Sequence, residues 1–422
     1  MCTTSTLELG IDVGRLERAF QINAPWTVSG FLQRLGRTGR RGQPPEMWMV
    51  IREDEAEARA MLPASVPWSL IQGIAIIQVY AEERWVEPAR LDRVPYSLLF
   101  HQTLSTLAGE GELTPQQLAG RILRLAYFKN VTQEDFREML NYLILTDIIE
   151  KTAEGGLIVG IAGERIIGSF RFLATFQENE EFTVRNESMD LGTIVRPPPA
   201  GEKVAIAGKV WVVDEVDVKR HLVMVSPVNG TVPAYFGECP GDIATHILER
   251  MKLVLREDKQ YPYLMPNAIT RLAEARHAAA HGGMAERPLV PLGEDTWALF
   301  PWLGTYSFMA LERFIKIICA RYLGIKGVDS DRPFFIQFTM RADESDFYRV
   351  LPELADRGVD PMDLLYPNEH PVFEKYDQYL PANLVRKGFA YGTLNVDEML
   401  DRVKQWRQFA SQHRYRSDLR GP

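Results

Sequence analysis

Apolar and polar positions along the chain switch between a helical period and a period of two. Residues 19–25 (AFQINAP) and 47–51 (MWMVI) are short apolar runs of strand character, the second reading as fully buried. Between them, residues 27–35 (TVSGFLQRL) carry a helical pattern that Gly36 ends. A strand–helix–strand unit sets its strands parallel and needs cover on both faces. One such unit cannot bury a sheet by itself, so further strands of the same domain are expected upstream of Met1. Residues 66–107 read as helical. Thr114-Pro115 and the Thr132/Asp135 pair mark two helix starts, with Leu118, Ile122 and Leu125, then Phe136, Met139, Leu140 and Leu143, as their apolar stripes. A hairpin around Gly155-Gly156 comes next, and helices leading into a hairpin predict a winged-helix domain.

Residues 180–236 alternate with period two, and 204–227 turn near Lys219-Arg220, which predicts a small β-barrel or sandwich. Helices return at 241–256 and 266–280, and TWALFPWLG (296–304) runs from strand into loop. Residues 305–324 form a helix apolar nearly all round, hence buried. A strand at 333–340 and helices at 344–356 and 395–412 complete the chain. The fold class expected is multidomain α/β and α+β. Its parts are the C-terminal piece of a RecA-like α/β domain (1–62), connector helices and a winged helix (63–166), a β-barrel-like domain (167–258) and an α/β C-terminal domain (259–422).

Length and composition bound what this chain does. At 422 residues, 46% apolar and 25% charged, it has side chains for several cores. Cys2, Cys239 and Cys319 show no CxxC spacing, so neither a disulfide framework nor a zinc site is supported, and a cytoplasmic location is expected. No apolar run approaches a membrane span. Net charge is −8, so nucleic-acid binding has to be local. The one concentrated basic run is QRLGRTGRRG (33–42), with Arg34, Arg37, Arg40 and Arg41 among three glycines.

That run lies about twenty residues after TSTLELGIDVG (4–14). Together the two stretches resemble motifs V and VI of superfamily-2 helicases. TLELGID and the chain after it are similar to the large helicase-related (Lhr-type) family. The likeness extends to VEP (86–88), FTVRNESMDLGTIV (182–195), KVWVVDEVD (209–217), VMVSPVNGTVPAYFGECPG (223–241), TWALFPWLG, and KYDQYLPANLVRKGFAYGTLNV (375–396).

The residues support the resemblance physically. Ser5 and Glu8 are spaced as a capping box, and the amides of such a helix start suit a backbone phosphate. The resemblance places Thr4 on nucleic acid. Gly10 clears space beside the nucleotide, and Asp12 can accept from a ribose hydroxyl. Gln33 and Arg37 are four apart on one helix face, and Gly36 with Gly39 is expected to turn the backbone so that Arg37 and Arg40 converge. Convergent guanidiniums suit the charge developing on a γ-phosphate and are worth ~10³–10⁵ in rate in phosphoryl transfer. By resemblance Arg37 and Arg40 are arginine fingers, with Gln33 beside them, while Arg34 and Arg41 are structural or nucleic-acid-facing. A solvated basic turn is the alternative.

No GxxxxGK[ST] loop is present, and DEAE (54–57) comes after motif VI on an acidic helix, where it reads as a solvated face. The Walker lysine and the acids that bind Mg²⁺ are therefore expected on a first RecA-like domain upstream of Met1. The chain alone is expected not to hydrolyse ATP. The partners expected are ATP with Mg²⁺ in the intact parent and nucleic acid, single-stranded DNA foremost, with RNA open.

Other candidates are weaker. The second winged-helix helix exposes Glu134, Arg137, Glu138 and Asn141, a mixed face poor for a major groove, so a bracing role is preferred to base reading. In the β region Trp211 reads as core, and Tyr235, after Pro233, as the better base-stacking candidate beside Lys209, Lys219 and Arg220. His277 and His281 lack the glutamate of a zinc protease and are treated as ordinary polar residues. A stand-alone single-strand-binding module without catalysis is the alternative function. A base-excision activity ranks last, because no clear catalytic acid pair is present.

Overall fold

The computed structural model describes residues 16–39, 44–53, 62–175, 181–187, 189–195, 197–198, 200–201, 203–206, 209–217, 220–228, 242–367, 369, 371 and 374–410. They fall into two compact units. The first comprises residues 1–88, 240–359 and 396–422, and the second comprises 89–239 and 360–395. Each unit is assembled from separated stretches of chain.

The first unit begins with β1 (Ala19–Ile22), α1 (Val28–Leu35) and β2 (Met47–Val50). The strands are parallel, with Phe20 opposite Trp48 and Ile22 opposite Val50. The register puts Met47 and Met49 against the core. Trp48 and Val50 are 41% and 51% exposed, so β2 is buried on one face only and not on both. The helical stretch expected over 66–107 is two helices, α2 (Trp68–Gln78) and α3 (Tyr96–Glu110), separated by a π-helical turn (Val79–Glu83) and an extended stretch. Pro88 and Pro95 explain the break, since neither can donate a helical hydrogen bond.

The second unit holds α3, α4 (Pro115–Ile122), α5 (Gln133–Leu145), the hairpin β3 (Ile149–Lys151) and β4 (Leu157–Val159), and α6 (Ile161–Ile167). Thr114 with Gln117 and Thr132 with Asp135 form complete capping boxes. Leu118, Ile122, Phe136, Met139, Leu140 and Leu143 are all buried around Phe100 and Phe128.

The β region of this unit corrects the barrel expectation. Strands β5 (Glu181–Asn186), β6 (Met189–Val195), β7 (Lys203–Ile206), β8 (Lys209–Asp217) and β9 (Leu222–Pro227) pair in the order β6-β5-β9-β8-β7. β6 and β7 are edges that do not pair with each other, so the sheet is open among the described residues. Alternation predicts strands, but closure depends on long-range pairing that alternation does not encode. One face packs as a small core of Phe182, Val184, Ile194, Val204, Trp211, Val213, Val223 and Val225.

The first unit resumes with α7 (Thr245–Arg256), α8 (Pro266–Gly282), β10 (Leu289–Gly293), β11 (Thr296–Leu299) and α9 (Thr305–Arg313). A π-helical turn (Phe314–Cys319) continues α9 into α10 (Ala320–Leu323). Then come β12 (Lys326–Asp331), β13 (Phe335–Thr339) and α11 (Glu344–Asp356). The sheet β10-β11-β13-β12 is antiparallel throughout. α12 (Ala382–Gly388) belongs to the second unit and α13 (Val396–Gln405) to the first. Among the described residues no helix is long and apolar enough to cross a membrane.

Candidate functional site

The first unit positions α1 from both ends. Thr27 is its N-cap, with Oγ1 accepting from the Gly30 amide at 2.9 Å. Two further amides of the first turn, Val28 and Ser29, donate to the two carboxylate oxygens of Glu87 at 2.6 and 3.0 Å. Helix starts leave such amides unsatisfied, and a carboxylate there also meets the positive end of the helix dipole. Val28 and Phe31 anchor the inner face in the core shared with Leu70, Ile71 and Ile74 of α2. The preceding turn is held by Ser69, whose Oγ accepts from the Ala24 amide (3.0 Å), and by Gln72, which donates to the Pro25 carbonyl (2.7 Å).

The C-terminal end carries the predicted chemistry. Gln33 is exposed and Arg37 half-buried. Arg34 turns back to β1, with Nη1 donating to Gln21 Oε1 at 2.5 Å, a contact that fixes α1 to the strand before it. After the helix, buried Thr38 donates to the Leu35 carbonyl (2.8 Å) and accepts from the Glu46 amide (3.0 Å).

Glycine is required at one position in this turn. Gly36 sits at φ −66°, ordinary helical backbone. Gly39 is at φ +69°, and a Cβ there would lie 2.4 Å from the Pro44 carbonyl carbon and from Pro45 N. The reversal after Arg37 therefore rests on Gly39 rather than on the Gly36/Gly39 pair. Thr4, Ser5, Gly10, Asp12, Arg40, Arg41, the DEAE stretch, Lys219, Tyr235 and Phe236 lie outside the described residues.

The outer face of α5 in the second unit is held by α12 at one residue. Glu134, Arg137 and Asn141 of α5 are exposed, whereas Glu138 accepts from Asn383 Nδ2 of α12 at 3.2 and 3.3 Å. Lys387 of α12 donates to buried Asp135 at 2.5 Å. Burial pushes the Asp135 carboxyl up, but Lys387 and the Thr132 cap outweigh it and hold it below the usual aspartate range. In the open sheet, Trp211 is 5% exposed and its Nε1 donates to the Ile206 carbonyl at 3.1 Å, so it is core. His277 and His281 are both exposed, with parallel rings 6.4 Å apart. Among the described residues no cluster of three or more His, Cys, Asp or Glu is placed to hold a metal.

Residues 1–42 match the helicase conserved C-terminal domain. The chain is also similar to the solved structure of Mycobacterium smegmatis helicase Lhr bound to ssDNA and AMP-PNP, at TM-score 0.54 and 16% identity, over 96% of this chain. The chain carries helicase C-terminal sequence on an Lhr-like fold. The helicase resemblance read from motifs V and VI is thereby borne out over residues 1–42, the Lhr likeness as one of fold, and the mixed α/β class with it. The chain spans 55% of the length of that Lhr chain. The DUF1998 helicase MrfA bound to DNA matches at TM-score 0.25 and 16% identity, over 54% of this chain and 27% of that one. MrfA bound to DNA and AMPPNP matches at 0.26 and 11%, over 84% and 48%. Both TM-scores are too low to imply a shared fold. No curated protein matches the chain.

Sequence reasoning misses the role of Glu87, which lies in the VEP phrase, and those of the α12 residues Asn383 and Lys387. None carries a local signal, because each acts on a helix far away along the chain.

Proposed function

We propose that the chain supplies motifs V and VI to the composite ATP site of an ATP-dependent nucleic-acid helicase of the Lhr type, acting on DNA. The observation that carries this is the placement of Gln33 and Arg37 at the C-terminal end of α1, between parallel strands, inside the stretch that matches the helicase C-terminal domain. The exposed apolar face of Phe20, Ile22, Trp48 and Val50 supports reading β1 and β2 as part of a larger α/β layer, since parallel strands are normally covered on both sides.

The residues present fit the triphosphate side of such a site: a guanidinium and a side-chain amide at a fixed helix end. They do not fit Mg²⁺, for which the described residues offer no acid cluster. ATP, held by a first RecA-like lobe, supplies the phosphoanhydride. Arg37, and Arg40 with it, stabilises charge on the transferred group, and Gln33 orients it. Gly10, Asp12 and Gly36 line the nucleotide. Thr4 and Ser5 hold the tracked strand, Tyr235 stacks on a base, and Arg34 takes the structural one of its two expected roles through its bond to Gln21.

The same reading divides the chain into four parts at 62, 166 and 258, with residues 63–166 as connector and winged helix. We assign that winged helix a bracing role. Its second helix is acidic, and Asn383 already bonds Glu138 on its outer side.

Replacing Arg37 with Ala in the intact helicase that contains this chain tests the assignment. DNA-stimulated ATP turnover is expected to fall by about 10³-fold or more. Unchanged turnover refutes it.

A further inference from the structure

Residues 79–88 form a strap held at both ends by distant parts of the first unit. α2 runs into the π-helical turn Val79–Glu83, which Arg84 ends in the left-handed conformation (φ 54°). Arg250 of α7 pairs with Glu82 at 2.6 Å, and Lys259 bonds the same carboxylate. Glu83 lies 2.5 Å from His246 Nε2, and the His246 ring packs against Trp85 with centroids 4.8 Å apart. Two residues after Trp85 comes Glu87, the carboxylate on the α1 amides. Pro88 is the last residue of this stretch of the first unit, and the chain enters the second unit at Ala89.

We infer that Glu87 is a positioning residue, coupling the strap that leads into the second unit to the helix that carries Gln33 and leads into the turn holding Arg37. The inference rests on the helicase reading. α1 is eight residues long, a rod of roughly 12 Å, so displacement at its N-terminus moves its C-terminus as well. Glu87 is not needed merely to start the helix, because Thr27 is already the N-cap. What the carboxylate adds is a pair of bonds from a segment fixed independently to α7. Displacement of the strap therefore reaches Arg37 through the Glu87 bonds as well as through the core that Val79, Trp85 and Val28 share. Misplacement of a catalytic group by about 1 Å costs roughly 10²-fold in rate.

The test uses Glu87→Ala, Glu87→Gln and Arg37→Ala in the intact helicase containing this chain. Glu87→Ala is expected to lower DNA-stimulated kcat by about 10- to 100-fold. KM for ATP and Kd for single-stranded DNA should stay within about 2-fold. Glu87→Gln, which keeps one acceptor oxygen, should recover part of the loss. In the chain by itself, hydrogen exchange should quicken at the Val28 and Ser29 amides and not across the core. Wild-type turnover in Glu87→Ala beside a dead Arg37→Ala overturns the coupling and leaves the helicase reading standing. Unchanged turnover in Arg37→Ala removes both. A general rise in exchange with a lowered Tm makes the effect structural, and the inference is then rejected.

Discussion

Glu312 offers the most sharply defined perturbation of the fold. Its carboxylate is 2% exposed on α9, accepting from Lys316 Nζ at 2.6 Å and from Arg332 Nε at 2.8 Å. Burial alone would push the carboxyl up, but the Arg332 and Lys316 charges outweigh it and bring it down to about 2. From an ordinary 4.5 that is a fall of roughly two to three units, or about 3 kcal/mol at 1.36 kcal/mol per unit. Breaking a buried pair generally costs about 3–5 kcal/mol, because a charge is left without compensation. Lys316 and Arg332 are 26% and 25% exposed, so both can partly rehydrate, which places Glu312→Ala near 3 kcal/mol rather than 5.

Tryptophan fluorescence in urea is the assay. Trp26, Trp48, Trp68, Trp85, Trp297, Trp302 and Trp406 all fall in the first unit, against Trp211 in the second, so the signal tracks the unit that holds Glu312. The carboxyl is depressed in the folded state. Its contribution is therefore fully present above the ordinary glutamate range and is lost as pH falls towards about 2. The gap between wild type and Glu312→Ala should be full at pH 7 and close progressively below about pH 4. Replacing Glu312, Lys316 and Arg332 together by Met should restore much of the stability, since no charge is then stranded. A gap under about 1 kcal/mol at pH 7, or one that does not change with pH, refutes the reasoning.

Two further substitutions probe the site and its support. Gly39→Ala forces a side chain into φ +69° and against Pro44, and should cost about 1–3 kcal/mol by urea denaturation while lowering ATP turnover in the intact helicase. Lys387→Ala strips the cation from Asp135 and should cost about 1.5–3 kcal/mol in thermal melting, with Lys387→Arg close to wild type. The Asp135 contribution should be present above the ordinary aspartate range, about 3.9, and lost below it.

Local features were legible in the sequence. Thr114 and Thr132 announce their helices because a cap and its amide are three residues apart. The Gln33–Arg37 spacing is equally local, with Gln33 exposed near the end of α1 and Arg37 in the turn that follows. Properties decided across the chain were not legible. MWMVI reads as buried on both faces until pairing with β1 sends Trp48 and Val50 outward. Alternation over 181–227 predicts strands without saying whether the outer two meet. Glu87 acts 59 residues from Val28, and Lys387 acts 252 residues from Asp135.

Those distant ties also bear on how nucleic acid is met. A helix that reads a major groove needs an open face that phosphates do not repel. On α5, Glu134 is exposed and acidic, and Glu138 is bonded by Asn383 from a helix that Lys387 clamps to Asp135. Glu134 already presents a carboxylate there, and releasing Glu138 from Asn383 would add a second, which opposes DNA. The net charge of −8 adds repulsion rather than steering. Among the described residues the outer face of α5 combines exposed Glu134, Arg137 and Asn141 with a Glu138 tied to Asn383, a mixed face that suits a major groove poorly.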